Sequence, residues 1–304
     1  MPTMQQPDRR HFLQTTFGAT AFAALAGSLT ADDKVKDEKR FKKAVKIGMV
    51  KVKGSLSDKF EVLKKLGFDG VELNSPGGPT PSEVDRAKEV SGLPVHGVVD
   101  SVHWRDTLSH PDAEVRARGV EALKTALRHS KEYGGTSVLL VPAKVDKLAS
   151  YDECWKRSIP EIRKAIPLAE DLGIDILLEN VWNGFLTDPK ETAKYVDELD
   201  SERVGAYYDV GNSVRYAPPV EWITTLGQRI KKLDIKEYDL EKGKSEGWYK
   251  GFQVKLLEGT CGWPSVMKTL KEIGFSGWGT AEIPGGDKER LAEIAERMDK
   301  IFAS

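Results

Sequence analysis

Cysteine is scarce in this chain: Cys154 and Cys261 are the two in 304 residues. Two isolated cysteines make no zinc cluster and impose no disulfide framework, so two free thiols are expected. Histidine is scarce as well, with five in all. That leaves few donors for a His-rich multi-zinc centre. An excess of either charge is also missing. Lys+Arg number 46 and Asp+Glu 47, for a net charge of -1, so no global basic field points to nucleic acid or anionic lipid. No Gly-rich phosphate fingerprint follows the first strand-like run, where the chain reads VKVKGSLSD. What remains, 39% hydrophobic and 31% charged residues, is the composition of a globular protein long enough for one large α/β domain.

The N-terminus has its own pattern. Arg9 and Arg10 precede Phe12-Leu13, and a small-residue apolar stretch follows over 15–29. That stretch is short of the roughly 20 apolar residues of a bilayer span. The order of these features resembles a twin-arginine export signal. The expectation is therefore a signal over 1–31, cleaved after Ala26 or Ala31, an extracytoplasmic location, and no stable membrane span after processing. Residues 32–43 carry dense charge of both signs and read as a solvated linker.

From residue 44, apolar β-rich runs alternate with amphipathic helical stretches. The expected strands are 44–50, 70–74, 94–101, 137–143, 174–181, 204–210, 230–238 and 277–283. Helices are expected over 57–67 (Ser57 as N-cap and Gly67 as the stop), 82–92, about 113–133, roughly 150–172, and after the later strands. Eight such strand–helix units predict an α/β fold, a single-domain (β/α)8 TIM barrel over 44–304, ahead of a doubly wound open sheet. Residues 239–260 show no clear helix and read as a long loop carrying Trp248, Tyr249 and Phe252. On a barrel this is either a lid over the catalytic face or a flap against a neighbouring subunit.

Chemistry concentrates at four strand ends. ILLEN ends in Glu179, GAYYD in Asp209, KKLDI leads to Asp234, and GWGTAEI carries Glu282. Buried carboxylates are costly without compensation, and on adjacent barrel strands these four would converge on one spot. A divalent cation is the simplest compensation. An all-oxygen set favours Mn²⁺ or Mg²⁺, with Co²⁺ or Zn²⁺ less suited. Weaker pocket candidates are His103 and Trp104 after the third strand, Trp182 and Asn183 after the fifth, Asn212, Lys236 and Glu72. Lys236 would either balance the carboxylates or pair with Glu237 or Glu72. His96 is equally a core residue or a ligand contact, and Arg215 reads as an exposed loop residue.

GFDGVELN (67–74), LLEN (177–180), DVGN (209–212), LDIKEYD (233–239) and GFSGWGTAEI (274–283) together resemble the xylose isomerase-like TIM barrels, the sugar (phosphate) isomerases and epimerases. The resemblance spans about 44–302. It implies one divalent metal on Glu179, Asp209, Asp234 and Glu282, with Asp234 where the family usually has His. Asn212 stands where a substrate-contacting His is common. It further implies Glu179 and Glu282 as the acid–base pair of a ketose isomerase or epimerase working through an enediolate. The alternatives are a lyase or dehydratase on a keto-sugar or keto-inositol, and a non-catalytic extracytoplasmic sugar-binding barrel. A small sugar is the expected partner, nucleic acid is not, and homo-oligomerisation is open.

Overall fold

The computed structural model describes residues 39–304. The expected signal over 1–31 and the first part of the linker lie outside the described residues. Eight strands form one closed parallel barrel in sequence order. They are β1 (Phe41–Lys46), β2 (Gly70–Ser75), β3 (Val95–Asp100), β4 (Ser137–Leu140), β5 (Asp175–Glu179), β6 (Val204–Asp209), β7 (Ile230–Ile235) and β8 (Gly277–Ala281). β1 closes the ring by pairing in parallel with β8 from Phe41↔Gly277 to Val45↔Ala281. The helices are α1 (Leu56–Lys65), α2 (Pro81–Ser91), α3 (Ala113–Tyr133), α4 (Tyr151–Arg163), α5 (Ile166–Leu172), α6 (Pro189–Glu198), α7 (Val210–Ser213), α8 (Pro219–Leu226), α9 (Leu240–Glu246), α10 (Trp263–Glu272) and α11 (Lys288–Ala303).

The main apolar core lies between strands and outer helices, where Phe60, Leu63, Leu123, Leu127, Trp222, Ile223, Leu270 and Ile294 are buried. A smaller cluster of Leu139, Leu177 and Tyr207, with Val99 against it, sits apart from that core.

Several elements differ from the sequence reading, each for a local reason. β1 opens at Phe41, so 41–43 belong to the barrel rather than to a linker. The lysines around Phe41 disguise it. Phe41 stacks on Phe275 and Phe302, and the fully buried Lys43 reaches the exposed Asp299 carboxylate at 2.7 Å and the Ala295 carbonyl at 3.1 Å. The cap of α1 is Ser55, in a reciprocal capping box with Asp58, and not Ser57. The single helix expected over 150–172 is two. Pro167 has no N–H and its ring would clash with the carbonyl of residue 163, where α4 stops.

The stretch 239–260 is not a bare loop. Asp239 caps α9 and a 3₁₀ turn spans Trp248–Phe252. Its glycines look like loop residues in the sequence, but they serve close packing. A Cβ on Gly243 would lie 2.1 Å from the Tyr238 hydroxyl, and one on Gly251 would lie 2.4 Å from the same ring.

Candidate active site

Strand alternation sets the site. Residues two apart share a face, so Leu177 and Glu179, Tyr207 and Asp209, Thr280 and Glu282, and the trio Lys232, Asp234 and Lys236 each share one face of a strand. Of the lower members, Leu177 packs against Leu139 and Tyr207, and the polar three bond within the barrel. Tyr207 and Thr280 hydroxyls are 2.8 Å apart, and His96 bonds Thr280 and Lys232, each at 3.1 Å. His96, stacked on Trp278, is thus a core residue. The upper members form the carboxylate ring: one oxygen each from Glu179, Asp209, Asp234 and Glu282 lies within 4.8 Å of the others.

Two ammonium groups thread this ring. Lys236 Nζ lies 2.8 Å from Asp209 Oδ2 and 2.5 Å from Glu282 Oε2. It balances carboxylates as one expectation had it, but pairs with neither Glu237 nor Glu72. Glu237 instead accepts from the Trp263 indole and the Leu257 amide. Lys46, at the end of β1, lies 2.9 Å from Asp234 Oδ2, 2.8 Å from Glu282 Oε1 and 3.9 Å from Glu72. Sequence reasoning missed Lys46. The signal was present, a lone charge inside the apolar run AVKIGMV.

The acids differ in surroundings. Burial pushes the Glu179 carboxyl up to about 8, and the neighbouring Glu282 charge adds to the push. Burial also raises Asp209 to about 6, against the pull of Lys236. Asp234 is driven up by burial more strongly than Lys46 can offset. For Glu282 burial also pushes upward, but Lys236 and Lys46 together outweigh it and hold its carboxyl below the usual range.

Above the ring a cavity of about 730 Å³ opens. Glu179, Glu282, Lys236, Asn212, His103, Trp104 and Trp182 line it, together with Asp100, Tyr249 and Phe252. Asp209 and Asp234 lie beneath, fully buried. Two expected pocket residues are elsewhere. Asn183 spends its amide on the Ala143 carbonyl (2.6 Å) and the Phe185 N–H (2.9 Å), pinning the β5 loop. Glu72 is buried outside the cavity lining, and neither carboxylate oxygen has a hydrogen-bond partner. Asn212 lines the cavity, yet its amide donates to the Asn180 carbonyl at 3.0 Å. Asn180 in turn exchanges two hydrogen bonds with the Asp209 backbone. These two amides tie β5 to β6 and fix the height of Asp209.

His103 accepts the Val141 N–H on Nδ1 at 3.3 Å, and burial pushes its pKa down to about 3, so it is neutral. Arg215 is no free surface residue. Its guanidinium lies 4.8 Å from the Trp182 ring centre and 4.5 Å from that of Trp248. It thereby joins the β5 loop to the 3₁₀ turn, which also sets Tyr249 and Phe252 against Trp182. Asp100 was overlooked although VVD ends a strand in the same way as the four ring acids.

The xylose isomerase-like TIM barrel profile matches residues 60–301. The chain belongs to that family. Among curated relatives, the L-ribulose-5-phosphate 3-epimerase UlaE of Escherichia coli (strain SMS-3-5 / SECEC) is 23% identical over 265 residues, which are 81% of this chain and 88% of the relative. The uncharacterized protein MJ1311 of Methanocaldococcus jannaschii is 27% identical over 168 residues, and the chain spans 56% of its length. The fold is shared with D-psicose 3-epimerase from Clostridium cellulolyticum H10, at TM-score 0.70 and 18% identity, covering 86% of this chain and 98% of that one. It is also shared with 3-keto-D-glucoside 4-epimerase from E. coli, at TM-score 0.71 and 15% identity, covering 87% and 99%.

Proposed function

We propose that this protein is a divalent-metal-dependent sugar epimerase that inverts a carbon beside a ketone by proton transfer. The observation carrying this reading is the division of the ring. Glu179 and Glu282 open onto the cavity, while Asp209 and Asp234 stay sealed below it. Two acids can reach a substrate and two can only hold what lies between them. The epimerase relatives support the same reaction class.

The residues fit a hard divalent cation. All donors are oxygens, and Asp234 Oδ1 is buried with no hydrogen-bond partner. Five carboxyl groups, Glu72 included, face the three ammoniums of Lys46, Lys232 and Lys236, and burial raises four of the five against ionisation, a deficit of positive charge that a divalent cation would fill. Glu179, Asp209, Asp234 and Glu282 would hold Mn²⁺ or Mg²⁺. When bound, the cation would polarise the ketone and stabilise negative charge growing on its oxygen.

The chain's own groups do the rest. One of Glu179 and Glu282 takes the proton from the carbon beside the ketone, and the C–H electron pair moves toward the carbonyl. The other delivers a proton to the opposite face of the same carbon. Lys236 fixes Glu282, and the Trp182, Tyr249 and Phe252 rings keep water off the reacting carbon.

The test combines metal content by elemental analysis with deuterium wash-in from D₂O on a ketose panel. About one equivalent of metal is expected in the wild type, lost in Asp209→Asn. Glu179→Gln and Glu282→Gln should fold but exchange no carbon-bound hydrogen. Wash-in that survives in both variants ends the proposal.

A further inference from the structure

The wall of the cavity facing the carboxylate ring has no part in the chemistry above. It is built on β2 and β3, whose ends run side by side with Asn74 opposite Val99 and Ser75 opposite Asp100. In an eight-strand ring these strands lie across from β6 and β7. A ketose held at the ring would therefore extend its chain toward Asn74, Asp100, His103 and Trp104.

That end of the cavity suits hydroxyl groups and does not suit an anion. The Asp100 carboxylate is 1% exposed. Its Oδ1 accepts the Val102 N–H at 3.1 Å, and among the described residues its carboxyl makes no other hydrogen bond. Burial raises its pKa to about 7, and the further charge acting on it is another acid, Asp106. A cation near this carboxyl would pull the other way. His103 is neutral, and Trp104 offers an aromatic face that is 49% exposed. Among the described residues, Lys236 is the one Lys or Arg in the cavity lining, and Asp209 and Glu282 engage it fully. Arg105, beside this wall, is turned outward onto Asp106.

We infer that Asp100 and Trp104 form a subsite for the uncharged hydroxyl end of a sugar, so that this protein acts on a free ketose and rejects its terminal phosphate. Asp100 accepts hydroxyl protons and Trp104 covers the C–H face. A phosphate dianion here would meet a carboxylate with no cation to offset it, so the wall discriminates by repulsion as well as by fit. This rests on the epimerase reading, and it separates the chain from the relative whose name specifies a 5-phosphate.

The experiment uses the full chain loaded with Mn²⁺. Deuterium wash-in is compared between free ketoses and the same ketoses phosphorylated at the terminal carbon, with ligand-induced thermal shift as a second readout. Wild type should favour the free sugar by at least about tenfold in kcat/KM. Asp100→Asn keeps the amide-oxygen acceptor for Val102 but loses the charge. It should raise KM for the free ketose severalfold, leave kcat within about twofold, and narrow the discrimination against phosphate. Equal or better turnover of the phosphate overturns the inference. So does an unchanged ratio in Asp100→Asn, which would reduce Asp100 to a turn residue. If no sugar exchanges deuterium, the epimerase reading fails, and thermal shift decides the subsite by itself. Stabilisation by free ketose alone upholds it. Stabilisation by the phosphate, or by neither, overturns it.

Discussion

Removing the Lys46 ammonium leaves Asp234 with an unbalanced charge in a fully buried place. Lys46 is held at 2.8–2.9 Å by two ring acids, and breaking such a buried pair costs about 3–5 kcal/mol. Lys46→Met should therefore melt well below wild type without metal. A divalent ion should restore more of the loss in this variant than it adds to wild type, because the ring then carries one more negative charge. Melting curves with and without Mn²⁺ read this directly, and equal Mn²⁺ shifts in the two proteins would contradict it. Asp100 gives a second prediction. Its folded pKa is raised by burial to about 7 from an ordinary 3.8, so the ionised form is the disfavoured one. Its contribution to stability is full below about pH 4 and is lost as the pH rises through 7. Asp100→Asn should flatten the melting temperature over that window. The slope should stay as steep as in wild type if Asp100 does not titrate there.

Among the elements, the segment from α9 to the 3₁₀ turn is held over the cavity by side chains rather than by a sheet. Arg215 between Trp182 and Trp248 is one tie, and the Tyr238 hydroxyl on the Trp248 carbonyl at 2.9 Å is another. Arg215→Ala removes three cation–π contacts, with Trp182, Tyr216 and Trp248, of about 0.5–1 kcal/mol each. Hydrogen exchange over 247–253 should accelerate, with little change in global melting. Unaltered exchange there would show that Arg215 is not a tie. Gly251→Ala acts oppositely in kind: its methyl would collide with the Tyr238 ring. Overpacking of this sort costs about 1–3 kcal/mol, so global melting should fall. These glycines also explain why the sequence reads as a loop here. In pattern they look like freedom, and only the neighbouring tyrosine shows that they make room.

For the whole molecule, Cys154 and Cys261 are both buried free thiols, so a reducing agent should leave the melting temperature unchanged. A reductant-dependent drop would reveal a bond. The barrel was legible because near-continuous apolar runs, buried on both faces as in β4, β5 and β6, alternate with helical stretches eight times over. The carboxylate ring was legible because Glu179, Asp209, Asp234 and Glu282 each stand at or just past the end of such a run. Other features depend on which strands meet. Lys46 gains meaning only when β1 closes beside β8 and its ammonium reaches Asp234. Asn183 and Glu72 carry suitable groups near suitable strand ends. Yet the first is spent on backbone, and the second lies outside the cavity. Asp100 follows the rule that found the ring and lies across the cavity from it.

The two lysines in the ring also bear on the order of events during maturation. Four like charges drawn together with nothing between them would resist the last step of closing the barrel. Lys46 and Lys236 arrive on the polypeptide itself and quench that resistance as the strands meet. The chain should thus complete its fold in a chelator, at a rate indifferent to divalent ions, and take up its ion afterwards as a separate bimolecular step. Stopped-flow refolding with and without Mn²⁺ would resolve the two phases.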